Sequence, residues 1–108
     1  MADVYQVIVT APTADEATSL GRMAVERRLA ACAQVSGPIT STYRWQGSVQ
    51  SASEWVTTCK TEAACLDTLM HALRASHSYE VPEIIASKVE TGDRDYLAWV
   101  ASETGAES

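Results

Sequence analysis

No stretch of the sequence approaches the ~18 apolar residues that a bilayer-spanning helix requires. Its first residues, Met1-Ala2-Asp3, lack a positive segment followed by an apolar run, so no signal peptide is expected. Basic residues are few: eight Lys and Arg stand against fourteen Asp and Glu, a net charge of −6. Only Arg27 and Arg28 are adjacent. Phosphate backbones need a basic face, so neither nucleic acid nor a membrane is an expected partner. The three cysteines, Cys32, Cys59 and Cys65, make an odd number without a CxxC pair. That suits a reducing compartment better than a disulfide framework, and the expected location is cytoplasmic. Also missing are a nucleophile-elbow motif, a phosphate-binding glycine loop and a close Cys–His motif. The sequence therefore argues against an enzyme and shows no organic cofactor site.

What is present suits one domain spanning residues 1–108. Hydrophobic residues make up 46% of the 108, enough for a real core without disulfide staples. Val4 to Thr10 is rich in β-branched residues and reads as a central strand. Ala11-Pro12 ends it. Thr13 and Glu16 have capping-box spacing, in which the Thr13 hydroxyl takes the Glu16 amide and the Glu16 carboxylate reaches back. Ala17, Leu20, Gly21, Ala24, Val25 and Leu29 then form one apolar helical stripe.

Extended character resumes at Ala31 to Val35, and Ser36-Gly37-Pro38 predicts a bend or bulge. Ile39, Ser41, Tyr43 and Trp45 alternate with Thr40, Thr42 and Arg44 as in a strand. Gln46-Gly47-Ser48 predicts a hairpin turn with positive φ at Gly47, and Val49 to Lys60 returns as the second arm. Arms this long leave an edge that invites pairing with another chain. A second helix is expected from about Glu62 to Ala75 with Thr61 as its cap, then a loop from Ser76 to Glu83 and a strand from Ile84 to Val89. Asp93 caps a last short helix whose apolar side is Tyr96, Leu97, Trp99 and Val100, and Glu103 to Ser108 reads as a frayed tail. This order predicts an α+β, ferredoxin-like βαββαβ antiparallel sheet with a long β-hairpin and a C-terminal helix.

These residues resemble the CutA family, the divalent-cation tolerance proteins. The likeness runs from about Val4 to Trp99. It is carried by Leu29-Ala30-Ala31-Cys32, by Tyr43, Trp45 and Gly47, and by Lys60-Thr61. His77, Tyr79, Pro82 and Glu83 continue it, and Gly92-Asp93, Tyr96 and Trp99 close it. The resemblance implies a tight homotrimer in which long hairpins pair across subunits. It implies an association with copper and other divalent metals. It also implies a likeness to the nitrogen-signalling PII trimers, which bind small effectors between subunits. Some members are similar in carrying a cysteine late in the first strand and a second histidine before the loop histidine; Val9 and Ser76 stand there in this chain.

Two residues are candidate metal ligands. Cys32 offers a soft thiolate, or else is a small buried hydrophobe. His77 offers an imidazole, or else is a loop histidine bonded to backbone. A metal needs three or four donors, so neither makes a site alone. His71 reads as a surface residue, and Cys59 and Cys65 as core or spectator thiols. Lys60, Tyr79 and Glu83 are candidates for a ligand cleft between subunits, or for fixing the subunit register. Tyr43, Trp45 and Trp55 read as trimer-interface aromatics, with a ligand-stacking platform as the other reading. Asp93 and Asp95 read as helix-start carboxylates.

Overall fold

The computed structural model describes residues 3–105. Its elements are β1 (Val4–Ala11), α1 (Ala14–Glu26), β2 (Cys32–Trp45), β3 (Ser48–Glu62), α2 (Leu66–Ser76), β4 (Ile84–Lys88) and α3 (Arg94–Glu103). One sheet holds the strands in the order β2-β3-β1-β4, every pair antiparallel. The α+β plan and the βαββαβ order are as the sequence predicts.

Alternation along β1 divides the sheet into two faces. Val7, Val9 and Ala11 lie fully buried with Cys59 of β3, Leu20 and Ala24 of α1, and Leu69 and Leu73 of α2. Val4, three residues from Val7, points the other way. It packs with Ala31 and with Val100 of α3. So α1 and α2 cover one face, while α3 covers only the Val4 end of the other. Most of the rest of that second face is open, although Thr10 and Glu54 on it are buried. It carries Ile8 opposite Thr58 and Ile85, Gln34 opposite Thr58, and Ile39 opposite Glu54.

α1 begins as expected, with the Thr13 hydroxyl accepting from the Glu16 amide at 3.1 Å. The reciprocal half of the capping box does not form, because the Glu16 carboxylate takes Ser78 instead. Of the predicted stripe, Ala17, Leu20, Gly21 and Ala24 are buried, but Val25 is exposed. The small residues let the helix lie close on the sheet. The buried Thr57 hydroxyl donates to the Ala17 carbonyl at 2.7 Å.

Thr61 does not cap α2. It is the penultimate residue of β3, buried, and its hydroxyl donates to the Leu29 carbonyl at 2.6 Å. A 3-10 turn at Ala63–Cys65 follows, and α2 starts only at Leu66. Threonine is both a good cap and a good strand residue, so its position alone did not decide. At the C-terminus, Asp93 caps α3 by accepting from the Tyr96 amide at 2.9 Å. Leu97 and Val100 face inward as expected, but Tyr96 and Trp99 stay exposed. The expected fraying from Glu103 fails for its first residues. Thr104 is buried, and the Gly105 amide donates to the Arg28 carbonyl at 2.9 Å. The Arg28 guanidinium donates to the Ser102 and Gly105 carbonyls, placing a cation at the negative end of α3. Residues 106–108 lie outside the described residues.

The hairpin is long because β2 and β3 outrun their neighbours. β1 pairs with β3 only from Trp55 to Glu62. Ser48 to Glu54 and Ile39 to Trp45 have only each other. The turn uses positive φ at Gln46 and Gly47, +50° and +85°, matching the right-handed twist of a two-residue hairpin. The predicted irregularity at Ser36-Gly37-Pro38 is a register shift between Ser36 and Ile39.

Candidate functional site

Strand alternation decides which candidates share a face. Tyr43 lies opposite Gln50, Trp45 opposite Ser48, and Ile39 opposite Glu54, so Tyr43, Trp45 and Glu54 share the open side. Trp55 follows Glu54 and therefore points to the helix side. There it packs on the core and against Gly37. The sequence reading grouped three aromatics at the hairpin; the structure brings together two, Tyr43 and Trp45.

The loop after α2 folds back over the end of β1 and fixes His77. The imidazole side chain is 0% exposed. Its Nε2 lies 2.6 Å from the Thr10 carbonyl, and its Nδ1 accepts from the Tyr79 amide at 3.0 Å. A carbonyl only accepts, so Nε2 carries a proton and donates to it. Glu16 holds the next residue: its two oxygens take the Ser78 amide at 3.0 Å and the Ser78 hydroxyl at 2.7 Å. Burial works to raise the Glu16 carboxyl, but the two Ser78 hydrogen bonds and His77 outweigh it and hold the group below its ordinary value.

The sign of the resulting pH effect follows from linkage. A depressed carboxyl adds stability above its unfolded value, and that stability is lost as pH falls through the lower folded value. Glu16→Gln is therefore expected to flatten the acid limb of the stability curve below about pH 4.5, with little change in slope near neutrality. Denaturant midpoints measured from pH 7 down to pH 3, as round settings, check this.

Tyr79 stands beside His77, with ring centroids 4.9 Å apart. Its hydroxyl donates to Glu54 Oε2 at 3.1 Å. Burial first, then the hydrogen bond and charge of Glu54, push the phenol up to about 12. Glu54 is only 8% exposed. Between this loop and the hairpin lies a cavity of about 640 Å³. Tyr43, Trp45, Glu54, Tyr79, Glu80 and Glu83 are among its walls. The sequence reading named Tyr79 and Glu83 but missed Glu54. Its only signal was a carboxylate at an open-face position of a strand.

Lys60 sits elsewhere in the chain. It lies opposite Cys32, and its Nζ donates to Gln34 Oε1 at 2.7 Å. It lies six strand positions beyond Glu54, about 20 Å away at the usual rise. Cys32 is half-buried, with Sγ 3.3 Å from the Tyr96 hydroxyl. Cys59 is a core thiol pushed up to about 11, chiefly by burial, and Cys65 is buried and raised for the same reason. His71 is exposed.

The fit to a metal can be tested on these contacts. His77 has both nitrogens occupied by backbone groups. Cys32 lies on another part of the sheet. Among the described residues, no three His, Cys, Asp or Glu side chains gather to hold an ion. The described residues of one chain therefore do not present a first coordination shell, which needs three or four converging donors.

This sheet order, with its long hairpin and third helix, defines a class of small α+β proteins, and comparisons place the chain within it. Residues 5–103 match the family model described as the CutA1 divalent ion tolerance protein. The chain belongs to this family. It is 38% identical over 99 residues to a divalent-cation tolerance protein CutA of Thermus thermophilus, covering 92% of this chain and 96% of that one. It is 40% identical over 101 residues to human Protein CutA, covering 94% of this chain but only 56% of the human one. The chain thus spans about half the length of that mammalian relative. A crystal structure of CutA from Xylella fastidiosa superposes with a TM-score of 0.93 at 36% identity, covering 96% of this chain and 100% of that one. A similar protein from Archaeoglobus fulgidus, TM-score 0.89 at 30% identity over 93% of this chain and 97% of that one, is described as periplasmic. No described helix is long and apolar enough to cross a membrane.

Proposed function

We propose that this protein is a non-enzymatic, cytoplasmic homotrimer that responds to divalent cations such as copper. The observation that carries the assembly is the unfinished sheet. Seven residues of each hairpin arm pair only with each other. An isolated two-stranded ribbon is marginal in water, and its open edges are templates for another chain. Sister copies would meet those edges and cover the open face, where Ile85 is 55% exposed and Ile39 is 39% exposed. Tyr43 and Trp45, exposed near the tip, would sit at the contact, and Trp55 would support the arm from behind.

Membership of a divalent-ion tolerance family supports the metal part. Because one chain gathers no donor set, the donors would come from more than one copy. Cys32 is the soft donor nearest the open face, and His77 would join only by giving up its backbone partners. Calorimetric titration of the purified protein with Cu and Zn tests this. The expected result is binding tighter than about 1 mM that weakens in Cys32→Ser or His77→Ala. Absence of such binding in the wild type removes the metal claim.

A second reading is a PII-like adaptor that holds a small effector. The cavity of about 640 Å³ favours it. Tyr79 and Glu83 would contact the effector, and Lys60 would have to come from a neighbouring copy.

A further inference from the structure

We propose that the cavity between the hairpin and the loop of residues 77–83 binds a small organic cation, an alkylammonium or quaternary ammonium group. The inference rests on the cavity of the effector reading above, with Tyr79 and Glu83 but without Lys60 of a neighbouring copy, whose ammonium would repel a cation, and it adds the chemical class. Three aromatic rings, Tyr43, Trp45 and Tyr79, and three carboxylates, Glu54, Glu80 and Glu83, stand around one space. No lysine, arginine or histidine lines it. Its volume of about 640 Å³ is that of a small-molecule site.

Glu54 is the central observation. It is more than nine-tenths buried, at 8% exposure. Its Oε2 accepts from a neutral donor, the Tyr79 hydroxyl. No cationic side chain forms an ion pair with it among the described residues. Buried carboxylates are ordinarily paired, because an uncompensated charge away from water is costly. Glu54 is already hydrogen-bonded to Tyr79, and a positive charge in the cavity would add the ion pair it does not have among the described residues.

The other ligand classes fit worse. Anions would meet three carboxylates. A bare metal ion would need converging donors, and no such group of three exists among the described residues. An organic ammonium needs less: one carboxylate, and ring faces within about 6 Å on which the cation rests. A quaternary ammonium, with no N–H donors to water, enters such a site at lower desolvation cost than a primary one. The negative potential is already registered by the Tyr79 phenol, held up first by burial and then by Glu54.

The test uses the full chain in its native assembly, titrated by calorimetry with choline chloride. The uncharged isostere 3,3-dimethylbutanol is the parallel probe. Choline is expected to bind saturably with Kd below about 10 mM, and the isostere at least about tenfold more weakly. Glu54→Gln keeps an acceptor for Tyr79 and removes the charge; it is expected to weaken choline about tenfold and leave the isostere unchanged. Trp45→Ala is expected to weaken both, with the thermal midpoint of each variant confirming that it folds. Equal binding of the two probes, or choline binding indifferent to Glu54→Gln, overturns the cation assignment and leaves the effector reading standing. No saturable binding of either probe, with neighbouring side chains filling the cavity in a structure of the assembly, overturns both.

Discussion

For the homotrimer proposed above, Ile39→Asp combined with Ile85→Asp is expected to reduce the solution mass from three chains to one. Both side chains are partly exposed in the single chain, at 39% and 55%, so within one copy each change costs about 1 kcal/mol, from strand propensity and, at Ile39, from the like charge of Glu54 opposite. In the proposed assembly both lie on the face that sister copies would cover. There each substitution buries an unpaired carboxylate, which costs about 3 kcal/mol or more. The asymmetry between those two costs is the prediction. The double variant should keep the far-UV signature of the wild type while its sedimentation mass falls threefold, to the 11.6 kDa of one chain. A variant that stays assembled would place the contact on another surface.

The second large effect is expected at Gly21. A glycine inside a helix costs about 1 kcal/mol relative to alanine, so propensity alone favours replacing it. Packing opposes that gain. A Cβ at Gly21 would stand 2.9 Å from the Ala33 Cβ and 3.2 Å from Thr57 Cγ2. Neither neighbour can swing aside: one is a methyl on β2, and the other belongs to a threonine bonded to the Ala17 carbonyl at 2.7 Å. α1 would have to lift from the sheet, breaking that buried bond. Gly21→Leu should therefore destabilise by about 3 kcal/mol or more. For a chain of this size the thermal midpoint would drop by roughly 10–20 °C. Gly47→Leu provides the contrast, since a Cβ there meets nothing within 4 Å and only the positive φ resists it.

Much of the fold was legible because its determinants are local. The alternation in Val4–Ala11, the Thr13 cap and the Gln46-Gly47 turn each depend on residues within a few positions. What was not legible depends on partners far along the chain. Glu16 has capping-box spacing, yet its carboxylate binds Ser78, 62 positions away. Thr61 looks like a cap but spends its hydroxyl on Leu29 across the sheet edge. Ser102 to Gly105 fold against Arg28, 77 positions before Gly105, where composition alone suggests fraying.

The site divides in the same way. Tyr79 and Glu83 were readable from the resemblance, and they do line the cavity. Trp55 was misplaced because one step along a strand reverses the face, and its neighbour Glu54 took the cavity position instead. For the histidine, the reading as a loop residue bonded to backbone holds, although its specific partners were not legible. Its contacts to the Thr10 carbonyl and the Tyr79 amide leave no nitrogen for a ligand, and nothing near it in the sequence announces them.

The most direct measurement is the mass of the purified wild-type chain by sedimentation equilibrium at micromolar dilution. Sheet edges and apolar surface left unmet in one copy call for sisters, and the family resemblance sets their number. The predicted result is one species of three times the 11.6 kDa chain mass, unchanged on further dilution. A stable single-chain species would contradict it, and would remove the shared metal donors and the contribution of Lys60 from a neighbouring copy.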